Sequence, residues 1–362
     1  MTKKKRLYGI TLGIFLFLGY VFLAAQPVPV ELLIEARWIS SLDKGAAEPG
    51  IVDKIPSAGS GRLIPFRLGQ HFGYVDSAGR FTVNRIQENY ISLSPGAWTE
   101  YPQLPEVLDI RNPRDETMQT VPSPSGYPVF LDGDLYLMGG DQVSLKALDG
   151  EGNDTWTYFF GAPLTGIDAA AGAILAGLLD GTIELISSEG VLLYTFEPGG
   201  SRIPCIYGCA ISEDASKIAL ISGLDEQRFL FLEKSGDTYR VAYHESLGEG
   251  FRRPVQLYFI DSGRRAVFER PGGLGIFDTV QRKSVTLPLR GNVYAIDNQG
   301  GGDFLFVITE EGNTKNLVAI RYPERVFLKA AFKSDAAFLA RHENELYIGG
   351  GQSLMAFEIT SR

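Results

Sequence analysis

Five aspartates, Asp76, Asp132, Asp168, Asp261 and Asp297, recur at the same point of a repeated strand, turn, strand pattern. Carboxylates set in such a ring could hold a cation or move a proton. Asp is also a preferred turn residue, because its side chain bonds its own backbone, and the turns are expected to lie apart on the periphery of the units that carry them. The segment DGEGND (149–154) spaces oxygen ligands as a calcium loop does, but Phe160 stands where the twelfth-position Glu is needed, so it reads as a hairpin loop. His71, His244 and His342 are too widely spaced for a zinc site. No G-x-S-x-G, GxxxxGK[ST] or H-E-x-x-H occurs, and the glycine clusters at 270–277 and 299–304 open no helix that could cradle a phosphate. No catalytic, cofactor-binding or metal residue is therefore expected.

Two cysteines remain, Cys205 and Cys209 in IPCIYGC, where Gly208 permits a tight bend. They form a candidate disulfide in an oxidising compartment, unless Cys209 already lies on a strand that points it inward.

The elements that must position these residues follow a repeat. Seven short apolar hairpins with polar turns begin at 73, 129, 166, 210, 258, 294 and 338, and a second kind follows most of them, at 107, 145, 183, 229, 275 and 317, with a final half at 353–359. Two hairpins per unit make a four-stranded antiparallel sheet, and units of this length signal the blades of a β-propeller. Runs such as RFLFLE (228–233) and VLLYTF (191–196) are apolar on both faces, as sheets sandwiched between sheets require. AAAGAILAGLL (169–179) has helical propensity, which its place in the repeat overrides. From Asp109 to Glu358 six steps cover 249 residues, about 41.5 each, which predicts an all-β propeller of seven blades over 62–362. The last blade lacks an outer strand, and RLIPFRLG (62–69) is expected to supply it.

Within that repeat, ALDGEGNDTWTYFFG (147–161) and LLDGTIELISSEGVLLYTFE (178–197) resemble the repeats of pyrroloquinoline-quinone-type propellers, and AISEDASKIALISG (210–223) is similar to a hairpin of WD-like and Tol-type propellers. The Trp position is filled by Trp156 and then by Tyr194. No vicinal cysteine pair and no matching metal motif occur, so the resemblance implies a non-catalytic, membrane-anchored propeller of the binding or scaffold kind.

Residues 7–25 are 19 positions without a charge, roughly 28 Å of helix, behind a basic tail at 1–6; they read as a transmembrane anchor, with a cleaved signal peptide as the alternative. Residues 26–61 read as a juxtamembrane segment and linker. In it Val30, Leu33, Ile34 and Trp38 recur at helical spacing, as an interfacial helix or an extension of the anchor. The expected location is the inner membrane, single-pass, with the propeller on the periplasmic side. Without the four cations at 3–6, 30 basic face 43 acidic residues, a net charge of −13, which excludes a nucleic-acid surface.

In such a fold the loops between blades and between the two hairpins of a blade share one face. Trp98 and Tyr101, from an oversized link at 87–105 that also holds Tyr90, fall there with Tyr127, Arg202, Tyr207, Arg252, Arg253 and Arg290. Aromatics and arginines are enriched at interface hot spots. The function expected is an extracytoplasmic scaffold that binds a protein or envelope component of acidic or polar character. The alternatives are that the arginines only pair with acids such as Glu197, Glu245 and Glu249, or that the protein is a propeller hydrolase or small-ligand sensor with its site in the central channel.

Overall fold

The computed structural model describes residues 32–43, 47–48, 62–248, 250–299 and 301–361, with a few helical positions between 13 and 20. Eight antiparallel sheets form a closed ring. Taken in chain order and among the described residues, the first blade (64–86) has three strands and the second (90–122) to seventh (292–333) have four each. The eighth joins Ala337–His342, Glu345–Gly350 and Ser353–Ser361 to a strand from the other end of the chain, Leu32–Ser41.

The blade count of seven is thus corrected to eight. The residues 87–105 are no link: Tyr90–Leu93 and Trp98–Tyr101 are the two inner strands of a blade whose outer hairpin is Val107–Arg111 and Thr117–Pro122. Strands of four residues carry too few apolar positions to show as a run. The turn at Asp76 is accordingly the outer turn of the first blade and not the inner turn of the second.

Ring closure by an N-terminal strand holds, but the strand differs. Ile64–Leu68 is the innermost described strand of the first blade, while Leu32–Ser41 pairs along Ser353–Ser361, with Trp38 opposite Ala356. The helical spacing of Leu33, Ile34 and Trp38 is a coincidence of a strand with a bulge between Ala36 and Trp38. Among the described residues no helix is long and apolar enough to cross a membrane. The expected span at 7–25 falls largely outside the described residues, as do Val30 and most of the linker at 44–61.

The core is divided among the blade interfaces. Eight clusters of buried side chains each bridge two neighbouring blades, for example Leu175, Leu185 and Ile206 with Leu220, or Phe229, Phe231, Phe268 and Phe277. This is why Ala173–Leu178 is buried at every position and forms a strand despite its alanines.

Five successive interfaces carry a further device, a donor on the outer strand of one blade reaching a backbone oxygen at the outer hairpin of the next. Trp38 Nε1 reaches Ser77 O at 2.9 Å, Thr82 Oγ1 Pro113 O at 2.6 Å, and Gln119 Nε2 Asp149 O at 2.7 Å. Trp156 Nε1 reaches Ser188 O at 2.9 Å, and the Tyr194 hydroxyl Tyr239 O at 3.0 Å. Both indoles lie on a glycine with positive φ, Gly79 at 79° and Gly190 at 77°, where a Cβ would come within 2.6 and 2.7 Å of the ring. Trp38 and Trp156 are therefore equivalent residues at the first and fourth of these interfaces.

Candidate functional site

The four-stranded blades place the turn between their two innermost strands at one mouth of the central channel, and the loops between blades at the other. At the turn side, Asp132, Asp168 and Asp261 line one cavity of 540 Å³ with Glu213, Tyr258, Asn298 and Gln299. These aspartates were expected to lie apart on the periphery. They converge because the inner hairpin of each blade is the part nearest the axis, and only the outer turn is peripheral. Asp76, in an outer turn, stays apart and pairs with Arg80 at 2.7 Å.

Three carboxylates at this mouth, Asp168, Asp261 and the neighbouring Asp297, are engaged, whereas Asp132 and Glu213 make no ion pair among the described residues. Asp168 accepts the backbone amides of Ile211 at 2.9 Å and Ala169 at 3.0 Å, which ties the fourth blade to the fifth, and burial pushes its carboxyl up. Asp261 pairs with Arg265 at 2.5 Å, and that guanidinium also lies 4.0 Å from the centre of the Tyr322 ring. Asp297 is 1% exposed; burial raises its carboxyl to about 6 although Arg341 stands 3.5 Å away. Arg341 also donates to the oxygens of Phe304, Gly301 and Glu343, each at 3.0 Å, so it clamps the seventh blade to the eighth. Among the described residues no group of three or more His, Cys, Asp or Glu is placed to hold a metal ion.

The loop side gathers part of the expected binding set. A cavity of 620 Å³ is lined by Tyr207, Arg252 and Arg253 with Gln142, Cys205 and a wall of Met138, Leu164, Ile167, Leu179, Ile206 and Pro254. Arg253 is held in place: its guanidinium forks onto Glu269, which is 1% exposed, and stacks 4.3 Å from the Phe251 ring centre. Arg202 pairs with Asp225 at 3.1 Å. The acids that answer these two arginines are Asp225 and Glu269, while Glu245 accepts Ser284 Oγ at 2.7 Å and Glu249, also named as a pairing acid, lies outside the described residues. Arg252 and Arg290 are exposed and make no ion pair among the described residues. Arg290 does not line the cavity.

The aromatic members divide. Trp98 is 1% exposed, packs on Phe72 at 5.3 Å and donates to Asn112 O at 3.1 Å, so it is a core residue. Tyr101 is 9% exposed, stacked on Tyr90 (5.9 Å) and tilted against the half-buried Tyr127 (6.2 Å). The residue that sequence reasoning passed over is Glu269, which fixes Arg253; its position on an inner strand among apolar neighbours was the available signal.

Cys205 and Cys209 stand as separate buried thiols. Cys209 lies on the inner strand Ile206–Ile211 with its sulfur against Gly166 and Gly177, and burial pushes it up to about 12.

The comparisons agree with this architecture. An uncharacterized protein of Treponema pallidum (strain Nichols) is 27% identical over 315 residues, 85% of this chain and 82% of that one. The crystal structure of BamB from Moraxella catarrhalis superposes with a TM-score of 0.60 at 13% identity, covering 90% of this chain and all of that one, which is a likeness of fold. A family profile described as beta-propeller protein matches residues 1–362, and the chain belongs to that family.

Proposed function

We propose that the protein is a non-enzymatic scaffold that captures a protein partner of acidic or polar character on the loop face of the propeller. The observation that carries this reading is Arg252, an exposed cation with no carboxylate partner among the described residues, set beside Tyr207 on a largely apolar cavity. An interface uses such a cation with aromatic and aliphatic neighbours as an anchor, and a rim of charge to steer the encounter. Arg290 and Tyr127 extend the same face, and the likeness of fold to BamB is compatible with a scaffold.

The test is co-purification at low and high salt with the R252S/R290S double variant beside a D132N/E213Q control from the opposite mouth. Loss of a partner from the first only, with both variants folded, supports the reading; an unchanged partner set at low salt removes it. The second reading, a hydrolytic or ligand-sensing site in the channel, is favoured by the convergence of Asp132, Asp168, Glu213 and Asp261 at one cavity. It predicts that D168N abolishes an activity while leaving the ring intact.

A further inference from the structure

The loop-side cavity has a composition more specific than a general docking face. Its wall is aliphatic, from Leu164, Ile167, Leu179 and Ile206, and Leu179 is 52% exposed at its edge. Two arginines reach it, but they differ in what they can offer. The charge of Arg253 is met by Glu269 beneath it, whereas the charge of Arg252 is met by no carboxylate among the described residues. The site therefore has room for one negative charge.

We propose that this cavity seats a single carboxylate side chain of an extended peptide segment in the partner, flanked by aliphatic residues, with Arg252 as its counter-ion and Gln142 and Tyr207 as neutral donors. The inference rests on the reading of the loop face as the docking surface, and it names the chemistry of the occupant. Charge complementarity selects the carboxylate: one uncompensated guanidinium matches one monoanion, and a phosphate dianion would need a second free cation that Arg253 does not provide. The aliphatic wall selects the flanking residues, since an apolar surface at a pocket gains by being covered. Arg253, stacked on Phe251 and forked onto Glu269, acts as a positioning residue that keeps the loop carrying Arg252 in place.

The experiment uses the full chain and two dye-labelled peptides with blocked ends, Ser-Leu-Glu-Leu-Ser and its Gln counterpart, read by fluorescence anisotropy at 50 and 300 mM salt. The Glu peptide is expected to bind at least tenfold more tightly than the Gln peptide to the native chain, and to weaken with salt. R252Q should remove that difference, R252K should restore part of it, and R80Q, on the outer turn of the first blade, should keep it. Equal affinity for the two peptides, no binding of either, or inorganic phosphate competing as well as the Glu peptide would each overturn the proposal. If both peptides fail while R252S/R290S still loses its partner in co-purification, the docking face stands and only the carboxylate seat falls.

Discussion

The two mouths of the channel differ in the sign of the charge that the fold leaves without a partner, acidic at one and basic at the other. At the turn side, Asp168, Asp261 and Asp297 hold neighbouring strands and blades through amides and arginines, while Asp132 and Glu213 make no ion pair among the described residues. On the loop side, Arg253 is fixed in the same manner by a buried carboxylate, but Arg252 beside it is not. A charge bound within the fold contributes to the ring; one left without a counter-ion is available to a ligand. Counting acids or arginines per face, as the sequence invites, does not separate these cases.

The sharpest way to break the comparison is at Arg341. Replacing it by Met leaves Asp297 buried without its cation, and removing one partner of a buried pair costs about 3–5 kcal/mol. Thermal or denaturant unfolding at pH 7 should show this, and the penalty should shrink at pH 5, where Asp297 takes up a proton.

A pH profile of the native chain comes next. The Asp297 carboxyl titrates near 6 in the fold against about 3.9 in an unfolded chain, so between those values the folded state binds more protons. Its contribution to stability is present at low pH and falls as pH rises from about 4 to 6, by at most about 3 kcal/mol. D297N should flatten that slope, and an unchanged slope would place the titration elsewhere. On the loop side, E269Q weakens the fork on Arg253; because Arg253 is half exposed, the cost is smaller, about 1–2 kcal/mol. Its more telling readout is loss of partner affinity as the loop carrying Arg252 loosens. Smallest of all, R252Q should leave stability within about 0.5 kcal/mol, as a surface substitution does, while removing binding.

Six blades were legible in the sequence from the third onward, because long apolar strands alternate with polar turns; Gly152, Gly190 and Gly236 carry the positive φ that their hairpin positions require. The second blade was hidden by the shortness of Tyr90–Leu93 and Trp98–Tyr101. The closing strand was hidden by the chance helical spacing of Leu33, Ile34 and Trp38. A comparison of Trp38 with Trp156 would have found it: each indole rests on the glycine of the next outer turn, Gly79 or Gly190. Replacing the buried Trp38 by Ala, which forfeits both the packing and the hydrogen bond, should cost about 3–5 kcal/mol, and the half-buried Trp156 less. For the site, topology brings only Tyr207, Arg252 and Arg253 of the eight candidates to one cavity, and the burial of Trp98 and the pairing of Arg202 and Arg253 depend on contacts that no local pattern encodes.

Docking of the partner at the loop-side mouth can be read by site-specific photocrosslinking. A photoreactive residue is placed at Leu179, on the rim of the loop-side cavity, or at Ser262, on the rim of the opposite one. The account predicts a crosslinked partner from position 179, lost on adding R252Q, and none from position 262. A crosslink from position 262 alone would contradict it.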